Sequence, residues 1–355
     1  MTSELLDGLR AGRMPALARA ISMVENAREG YEDLLSAVHA QVGRAHRIGI
    51  TGPPGAGKST LVEGLVKAYR ERGQTVAVVA VDPTSPFSGG ALLGDRIRME
   101  SVTLDPGVYI RSMATRGALG GLATTTREVC DVVDAFGFHR IIVETVGVGQ
   151  SELEIAATAD SAILVLVPES GDGVQALKAG VMEIADIYVV NKADRPGADR
   201  VRQEVEVMLG IRQGNAYRHV GAHQGRSDGH KVGRPQSPTV QSSARAGSGA
   251  EGWAPPVLLT VALSGQGVAE TVNAIEAHGT YLSQSGELAK RRRTRLERHT
   301  REVVDRTVRQ LVWHAGAGEA KLAEGLEHVA RGEASPYQLA KEIVAGLTEE
   351  IHHGR

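Results

Sequence analysis

Residues 52 to 59, Gly52-Pro53-Pro54-Gly55-Ala56-Gly57-Lys58-Ser59, match the phosphate-loop pattern G-x-x-x-x-G-K-[ST]. Glycines let backbone N–H groups turn toward the α- and β-phosphates of a nucleotide, and the following helix N-terminus adds a favourable dipole. Lys58 can reach the β- and γ-phosphates, the Ser59 hydroxyl is a ligand for Mg²⁺, and Thr60 completes the predicted segment. A simple glycine turn is the alternative, which the position between a strand and a helix disfavours.

A second motif, Asn191-Lys192-Ala193-Asp194, follows a short apolar strand. The carboxylate of Asp194 can accept hydrogen bonds from the N1–H and the 2-amino group of guanine, a donor pair that adenine lacks. Asn191 is expected to brace the loop, and the stem of Lys192 to cover the base. A later strand ends in Thr260-Val261-Ala262-Leu263, where a backbone N–H of Ala262 or Leu263 could meet the guanine O6. An Asp-capped turn is the alternative.

Two other predicted strands end in carboxylates that could serve the phosphates. Glu144 stands where GTPases have the Asp of D-x-x-G, so it could hold Mg²⁺ through water, and the Gly147 N–H could sense the γ-phosphate. Asp82 would face the same phosphate-binding crevice as Glu144. The alternative for each carboxylate is that it caps a helix or a turn. Because no glutamine follows Gly147 directly, Asp95 and Arg98 are the candidates for the hydrolytic machinery. The sequence therefore predicts slow intrinsic hydrolysis.

The elements that must position these residues alternate between strand and helix. Apolar runs without alternation are typical of strands buried on both faces of a parallel sheet, and they occur at Arg47–Thr51, Thr75–Val81, Val108–Arg111, Arg140–Val146, Ala162–Val167, Ile187–Val190 and Val257–Leu263. Helical segments separate most of them, at Ser59–Arg72, Thr124–Phe136, Glu152–Ala159, Val174–Ala185 and Ala198–Leu209. This order predicts an α/β fold with a mostly parallel sheet that binds ligands at the carboxyl ends of its strands.

Helical segments flank this core, and they divide the chain into three predicted parts. Residues 1–45 form an N-terminal helical extension, residues 46–282 the phosphate-loop domain, and residues 283–355 a C-terminal helical region. That region contains the basic helix Glu287–Trp313, in which the run Lys290–Arg293 predicts a solvent-facing surface, with a docking surface as the alternative.

The polar segment 213–252 has few aliphatic residues and predicts a mobile surface loop inserted into the phosphate-loop domain.

Composition excludes several classes of protein. The chain has 40 basic and 42 acidic residues and a net charge of -2, which argues against nucleic acid as the main partner. No apolar run approaches the roughly 18 residues that span a bilayer, so we expect no membrane partner. A single cysteine, Cys130, excludes an internal disulfide and a thiolate zinc site. We therefore expect a cytoplasmic protein.

Beyond these motifs, the chain resembles the MeaB/ArgK family, the G-protein chaperones of adenosylcobalamin-dependent acyl-CoA mutases. The strings that carry the resemblance are Ala16–Ile21, Thr51–Ser59, Val81–Pro86, Gly94–Met99, Arg116–Leu122, Glu144–Glu152, Gly180–Asp194 and Ser335–Tyr337. The most specific of them reads E-T-V-G-V-G-Q-S-E. The resemblance covers nearly the whole chain.

The resemblance implies a GTPase of the dimerising class (SIMIBI-type) that uses GTP, GDP and Mg²⁺, with a C-terminal arm that makes a homodimer. It implies docking on methylmalonyl-CoA mutase, where the nucleotide state gates the loading of adenosylcobalamin and protects or reactivates the mutase. By analogy, Asp82, Asp95 and Glu144 belong to the Mg²⁺ and switch apparatus. Glu169–Lys178 matches a further switch loop through which the partner stimulates hydrolysis, with Lys178 as its actor.

This chain departs from the family at two places. Gly173 stands where the family usually has an acidic residue, and the insertion 213–252 is longer than usual.

Three other functions compete with this interpretation. Relatives carry the name of arginine/ornithine transport kinases, which would use ATP, but Asp194 argues for guanine. A nickel-insertion GTPase should have Cys and His ligands that this chain lacks. An interaction scaffold would hold the nucleotide only as a structural element.

Overall fold

Seven apolar segments form one sheet in this computed structural model, which describes residues 2–82, 99–114, 122–145, 158–171, 179–212, 252–315 and 318–353. The strands are β1 (His46–Thr51), β2 (Val76–Asp82), β3 (Val108–Ala114), β4 (Arg140–Thr145), β5 (Ser161–Leu166), β6 (Ile187–Val190) and β7 (Val257–Leu259). They lie in the order β3-β2-β4-β1-β5-β6-β7, and all six neighbouring pairs are parallel. The predicted α/β fold is confirmed.

Helices cover both faces of the sheet. In chain order they are α1 (Thr2–Arg10), α2 (Met14–Glu25), α3 (Tyr31–Val38), α4 (Lys58–Glu71), α5 (Glu100–Thr103), α6 (Leu122–Phe136), α7 (Ala179–Ile184), α8 (Ala198–Arg212), α9 (Val268–Ser285), α10 (Glu287–Gln310), α11 (Gly318–Ala330) and α12 (Pro336–His353). Short 3₁₀ turns occupy His39–Gln41 and Pro168–Gly171, and a π-helical turn occupies Leu311–Ala315.

Each face of the sheet has its own hydrophobic layer, because successive side chains of a strand point to opposite faces. On one face, Ile48 and Ile163 pack in a cluster with α4 and α9. On the other face, Val79 and Val143 pack with α1, α2, α3 and α6, and Leu164 packs with α8. Both faces of the sheet are therefore covered by helices. This leaves the ends of the strands as the place for a ligand.

The predicted strands and helices overlap the observed ones, with differences at their ends. The predicted strand Val257–Leu263 is too long: it ends at Leu259, because the Val261 N–H turns back to the carbonyl of Gln266 at 2.9 Å. The helix predicted at Glu152–Ala159 lies mostly outside the described residues, and Thr158 and Ala159 are not helical. The insertion 213–252 also lies outside them, apart from Gly252.

The basic helix α10 packs back onto the amino ends of the strands. Arg291 binds Asp186 at 2.9 Å, and Arg292 binds Asp160 at 2.7 Å. Arg295 also binds Asp160. The prediction that this run faces solvent is therefore wrong for Arg291 and Arg292, because aspartates that precede β5 and β6 neutralise them.

Candidate functional site

The phosphate-loop motif forms the connection between β1 and α4, at the carboxyl edge of the sheet. Its conformation requires glycine at two positions. Gly52 has φ +145° and Gly57 has φ +83°, both in the region that L side chains rarely adopt. A Cβ at Gly52 would also overlap the carbonyl of Val165, and one at Gly57 would overlap the side-chain amide of Asn191. The loop is thus packed directly against the neighbouring strand and the second motif.

Lys58 is the first residue of α4, and its side chain folds back over the loop that precedes it. Its Nζ donates hydrogen bonds to the carbonyl oxygens of Gly52 at 2.8 Å and of Pro53 at 3.1 Å. The residue is 6% exposed. The ammonium group therefore lies inside the loop that is predicted to surround the phosphates.

The two predicted metal ligands Ser59 and Glu144 meet in the structure. The Ser59 hydroxyl donates to Glu144 Oε1 at 2.7 Å, and Glu144 is 1% exposed at the end of β4. Asp82 ends the adjacent strand β2, where Val81 pairs with Thr145. The side chain of Asp82 lies outside the described part of the structure. Both strands therefore deliver a carboxylate-bearing residue to the edge where the phosphate loop lies.

Asn191 joins three loops at this edge. Its Nδ2 donates to the carbonyl of Ala56 in the phosphate loop at 2.8 Å. Its Oδ1 accepts hydrogen bonds from the Ala262 N–H at 3.0 Å and from the Thr260 hydroxyl at 3.1 Å. Because Asn191 is 2% exposed, these bonds are shielded from water. The asparagine thus ties the phosphate loop to the turn after β7.

The loop that carries Asp194 is open to solvent. Lys192 has φ +56°, an uncommon conformation for a residue with a side chain, and the Ala193 N–H donates to the carbonyl of Thr260 at 2.9 Å. Asp194 is exposed, as is Leu263. The Ala262 N–H donates to Asn191. Of the two donors predicted for guanine O6, the Leu263 N–H is therefore the one that we expect to make the contact.

The start of the predicted switch segment Glu169–Lys178 lies beside this guanine loop. Glu169 forms an ion pair with Arg195, the residue after Asp194. The hydrogen bond from Arg195 holds the pKa of Glu169 below its usual range. The start of the segment therefore contacts the loop that is predicted to bind the base.

Four other predicted site residues, Asp95, Arg98, Gly147 and Lys178, lie outside the described residues. The structure adds hydroxyl groups that motif analysis missed. Thr145 Oγ1 donates to Thr51 Oγ1 at 3.2 Å beneath the phosphate loop, and Thr260 supports Asn191. A threonine at the end of a buried strand was the available signal, because such a hydroxyl needs a partner there.

Within the described ranges, no group of three or more His, Cys, Asp or Glu residues is placed to hold a metal ion. The helices of the same ranges are also too short or too polar to cross a membrane.

Comparisons with known proteins agree with the motifs. The family model of the "Methylmalonyl Co-A mutase-associated GTPase MeaB" matches residues 17–317. A predicted GTPase of Pyrococcus abyssi is 42% identical over 98% of both chains. The mouse "Methylmalonic aciduria type A homolog, mitochondrial" is 34% identical over 82% of this chain and 66% of its own length. A crystal structure of an LAO/AO transport system kinase is 27% identical and has a TM-score of 0.64, with 99% of this chain and 97% of that chain covered.

Proposed function

Because the chain belongs to the MeaB family of P-loop GTPases, we propose that it is a GTP-hydrolysing chaperone of adenosylcobalamin-dependent methylmalonyl-CoA mutase. It docks on the mutase and gates the loading, protection and reactivation of the cofactor site. The observation that carries this proposal is the family match across residues 17–317, which contain both nucleotide motifs. The name of the mouse relative, which refers to methylmalonic aciduria, supports the same metabolic setting.

In this proposal the phosphates of GTP lie in the loop Gly52–Ser59. Lys58, which now donates to two loop carbonyls, exchanges those bonds for the β- and γ-phosphate oxygens. Such an exchange costs little, because each bond from the ammonium group to a neutral carbonyl is replaced by one to an anionic oxygen. The Gly57 backbone and the helix dipole of α4 add to the attraction of the phosphates.

Mg²⁺ bound with the nucleotide would neutralise charge on the β- and γ-phosphates. The residues present fit this ion, because the Ser59 hydroxyl and the buried Glu144 carboxylate already lie 2.7 Å apart and offer the oxygen ligands that Mg²⁺ prefers. Asp82 at the end of β2 is the third proposed ligand.

Hydrolysis breaks the bond between the γ-phosphorus and the β–γ bridging oxygen, as water attacks the γ-phosphorus and GDP and phosphate leave. Lys58 and Glu144 stabilise the site, and Asp95, Arg98, Gly147 and Lys178 form the proposed switch apparatus. We expect the intrinsic rate to be slow, and docking of the mutase to raise it through the segment Glu169–Lys178. Arg195 pairs with Glu169 at the start of that segment.

Guanine selection is proposed to rest on Asp194. Titration of the protein with GTP and ATP should show a clear preference for GTP, and Asp194→Ala should weaken GTP binding about 100-fold, since it removes a pair of hydrogen bonds to a charged acceptor. Asp194 is exposed, so the variant should keep the thermal stability of the wild type. A preference for ATP would instead favour the transport-kinase function.

The C-terminal helices are proposed to form the homodimer. Leu296, Val304, Val308 and Leu311 are between 41% and 53% exposed along α10 and the turn after it. Exposed apolar residues at this spacing suit a helix–helix contact with a second copy. Sedimentation should give twice the mass of 37.5 kDa, and Val304→Glu should shift it toward one chain.

The partner is tested by measuring GTP hydrolysis with and without methylmalonyl-CoA mutase. We expect a stable complex and a faster rate, and no stimulation of Lys58→Ala. If acyl-CoA mutases neither bind nor stimulate the protein, the partner assignment is wrong while the GTPase assignment stands. We place this activity in the cytoplasm, where the free, buried thiol of Cys130 would stay reduced.

A further inference from the structure

The N-terminal helices contain a concave site that the nucleotide loops do not use. A cavity of about 500 Å³ opens beside α1 and α2, a volume typical of small-molecule sites. The two helices approach closely because Gly8 lacks a side chain: a Cβ there would lie 2.6 Å from the Cβ of Ala16. These helices pack on the sheet face opposite to α4, the helix of the phosphate loop.

The floor of this cavity is apolar. Ala16 and Met23 lie two turns apart on α2 and are 9% and 7% exposed. Leu5 of α1 and Pro15 at the start of α2 complete the lining. This surface suits a hydrocarbon group of a ligand, because burial of apolar area drives such contacts.

The rim of the cavity is cationic. Arg13 precedes α2, Arg19 lies on it and Arg28 follows it, and all three line the cavity. Among the residues that the structure describes, no carboxylate lies within ion-pair distance of these three arginines. Glu4 and Glu29 also line the cavity, so one positive charge remains in excess. A concave surface with an excess of arginines attracts anions, and the planar guanidinium groups match carboxylate and phosphate oxygens.

We propose that this cavity binds a small anionic amphiphile, with a carboxylate or phosphate head against the arginines and a hydrocarbon body on the floor. The two halves of the lining support this ligand class together. A purely polar anion would leave the apolar floor uncovered, and a neutral apolar molecule would leave the arginines unpaired. The site shares no residue with the nucleotide loops.

Calorimetric titration of the full chain with four probes tests the ligand class. Octanoate and octyl phosphate carry both features, acetate carries only the charge, and octanol carries only the chain. We expect saturable binding of octanoate or octyl phosphate, at least tenfold tighter than that of acetate or octanol. The preference between the two amphiphiles identifies carboxylate or phosphate as the natural head group.

Arg19→Gln should weaken binding of the better amphiphile roughly tenfold, since it removes a charge-assisted contact, and Arg13→Gln should act in the same direction. Arg10→Gln is the matched control, because Arg10 is exposed on the same helices, pairs with Asp7 at 3.7 Å and does not line the cavity. All three variants should keep the basal GTPase rate and the thermal stability of the wild type.

Three results would overturn the proposal. They are equal binding of octanol and octanoate, unchanged binding by both Arg19→Gln and Arg13→Gln, and no saturable binding of either amphiphile up to about 10 mM. None of them would bear on GTP hydrolysis or on docking to the mutase, so the two proposals fail separately.

Discussion

The two ends of the strands, which form the carboxyl edge and the amino edge of the sheet, are held by different kinds of interaction. At the carboxyl edge, the side chains of Asn191 and Thr145 connect loops that carry the nucleotide motifs. The buried Lys58 and Glu144 form hydrogen bonds there to carbonyl and hydroxyl groups. At the amino edge, Asp160 and Asp186 precede β5 and β6 and bind arginines of α10. The strands β5 and β6 therefore connect the edge that carries the nucleotide motifs to the edge where aspartates form ion pairs with α10.

We expect the two edges to respond differently to substitution and to ligand. A neutral hydrogen bond contributes about 1 kcal/mol and can be exchanged for a bond to a ligand. Removing one partner of a buried ion pair costs about 3 to 5 kcal/mol. Burial raises the pKa of Asp160, but the hydrogen bond from Arg292 and the charge of Arg295 outweigh it and hold the pKa well below the ordinary range. We therefore regard the amino edge as the fixed frame.

The largest expected effect comes from a change at the carboxyl edge. Lys58→Ala should lower the rate of GTP hydrolysis about 1000-fold, because it removes a cation that faces the charge developing on the phosphates. Single-turnover hydrolysis measures this change. Lys67→Ala is the control on the same helix, since Lys67 is exposed and pairs with Glu63. A rate within tenfold of the wild type would contradict the role of Lys58.

A change at the amino edge should act on stability instead of activity. Asp160→Asn should lower the free energy of unfolding by about 3 kcal/mol, because it leaves Arg292 and Arg295 without their counter-charge. Urea unfolding measures the loss, and GTP affinity should change less than threefold. Asp7→Asn, in an exposed pair, should be nearly neutral. A large loss of GTP affinity with unchanged stability would refute the division between the edges.

The amino edge also predicts a pH dependence. Burial lowers the pKa of His278 to about 4, against the opposing charge of Asp186. In the unfolded chain the pKa of a histidine is about 6.5. The contribution of neutral His278 to the free energy of unfolding is therefore complete above about pH 6.5 and is lost as the pH falls toward 4. The loss amounts to up to about 3 kcal/mol.

His278→Gln should remove much of that slope in unfolding curves between pH 7 and 4. His46, whose pKa burial also lowers, shares a hydrogen-bond network with His278 through Ser161, so His46→Gln is the comparison variant. Parallel curves for the wild type and His278→Gln would show that His278 is not the titrating group.

The smallest expected effect is at the hydroxyl pair beneath the phosphate loop. Thr145→Val should destabilise the protein by about 1 kcal/mol, because it leaves the buried Thr51 hydroxyl without the bond from Thr145. Thr280→Val is the control, since the exposed Thr280 hydroxyl bonds only within its own helix at 2.9 Å. A loss as large as that of Asp160→Asn would remove the contrast between the two edges.

Much of the fold was predictable from local pattern. Continuous apolar runs predict the parallel strands because both faces are buried, and β6 is found at the predicted residues. The glycines of the phosphate loop predict their own conformation, as the positive φ of Gly52 and Gly57 shows. The end of β7 was not predictable. The Val261 N–H turns back to the carbonyl of Gln266, and the next N–H, of Ala262, binds the buried Asn191 from a distant part of the chain.

The contacts of the basic run of α10 were not predictable from the sequence for a similar reason. Charged residues on a helix usually face solvent, and nothing near Arg291 or Arg292 in the sequence indicates Asp186 or Asp160 as their partners. Their aspartates lie far away in the sequence: Asp186 is 105 residues from Arg291, and Asp160 is 132 residues from Arg292. Only the folded sheet places those carboxylates on one edge.

The sequence by itself determined the chemistry of the nucleotide site, since each motif is a short run whose residue types and spacing suit phosphate, Mg²⁺ or guanine. The tertiary structure decided how the motifs are joined and what holds them. Asn191 connects two loops that are 135 and 71 residues away from it, and arginines of α10 fasten the opposite edge. Such contacts depend on strand order and register, which no local pattern encodes, because many pairings of the same strands would satisfy the same hydrophobic periodicity.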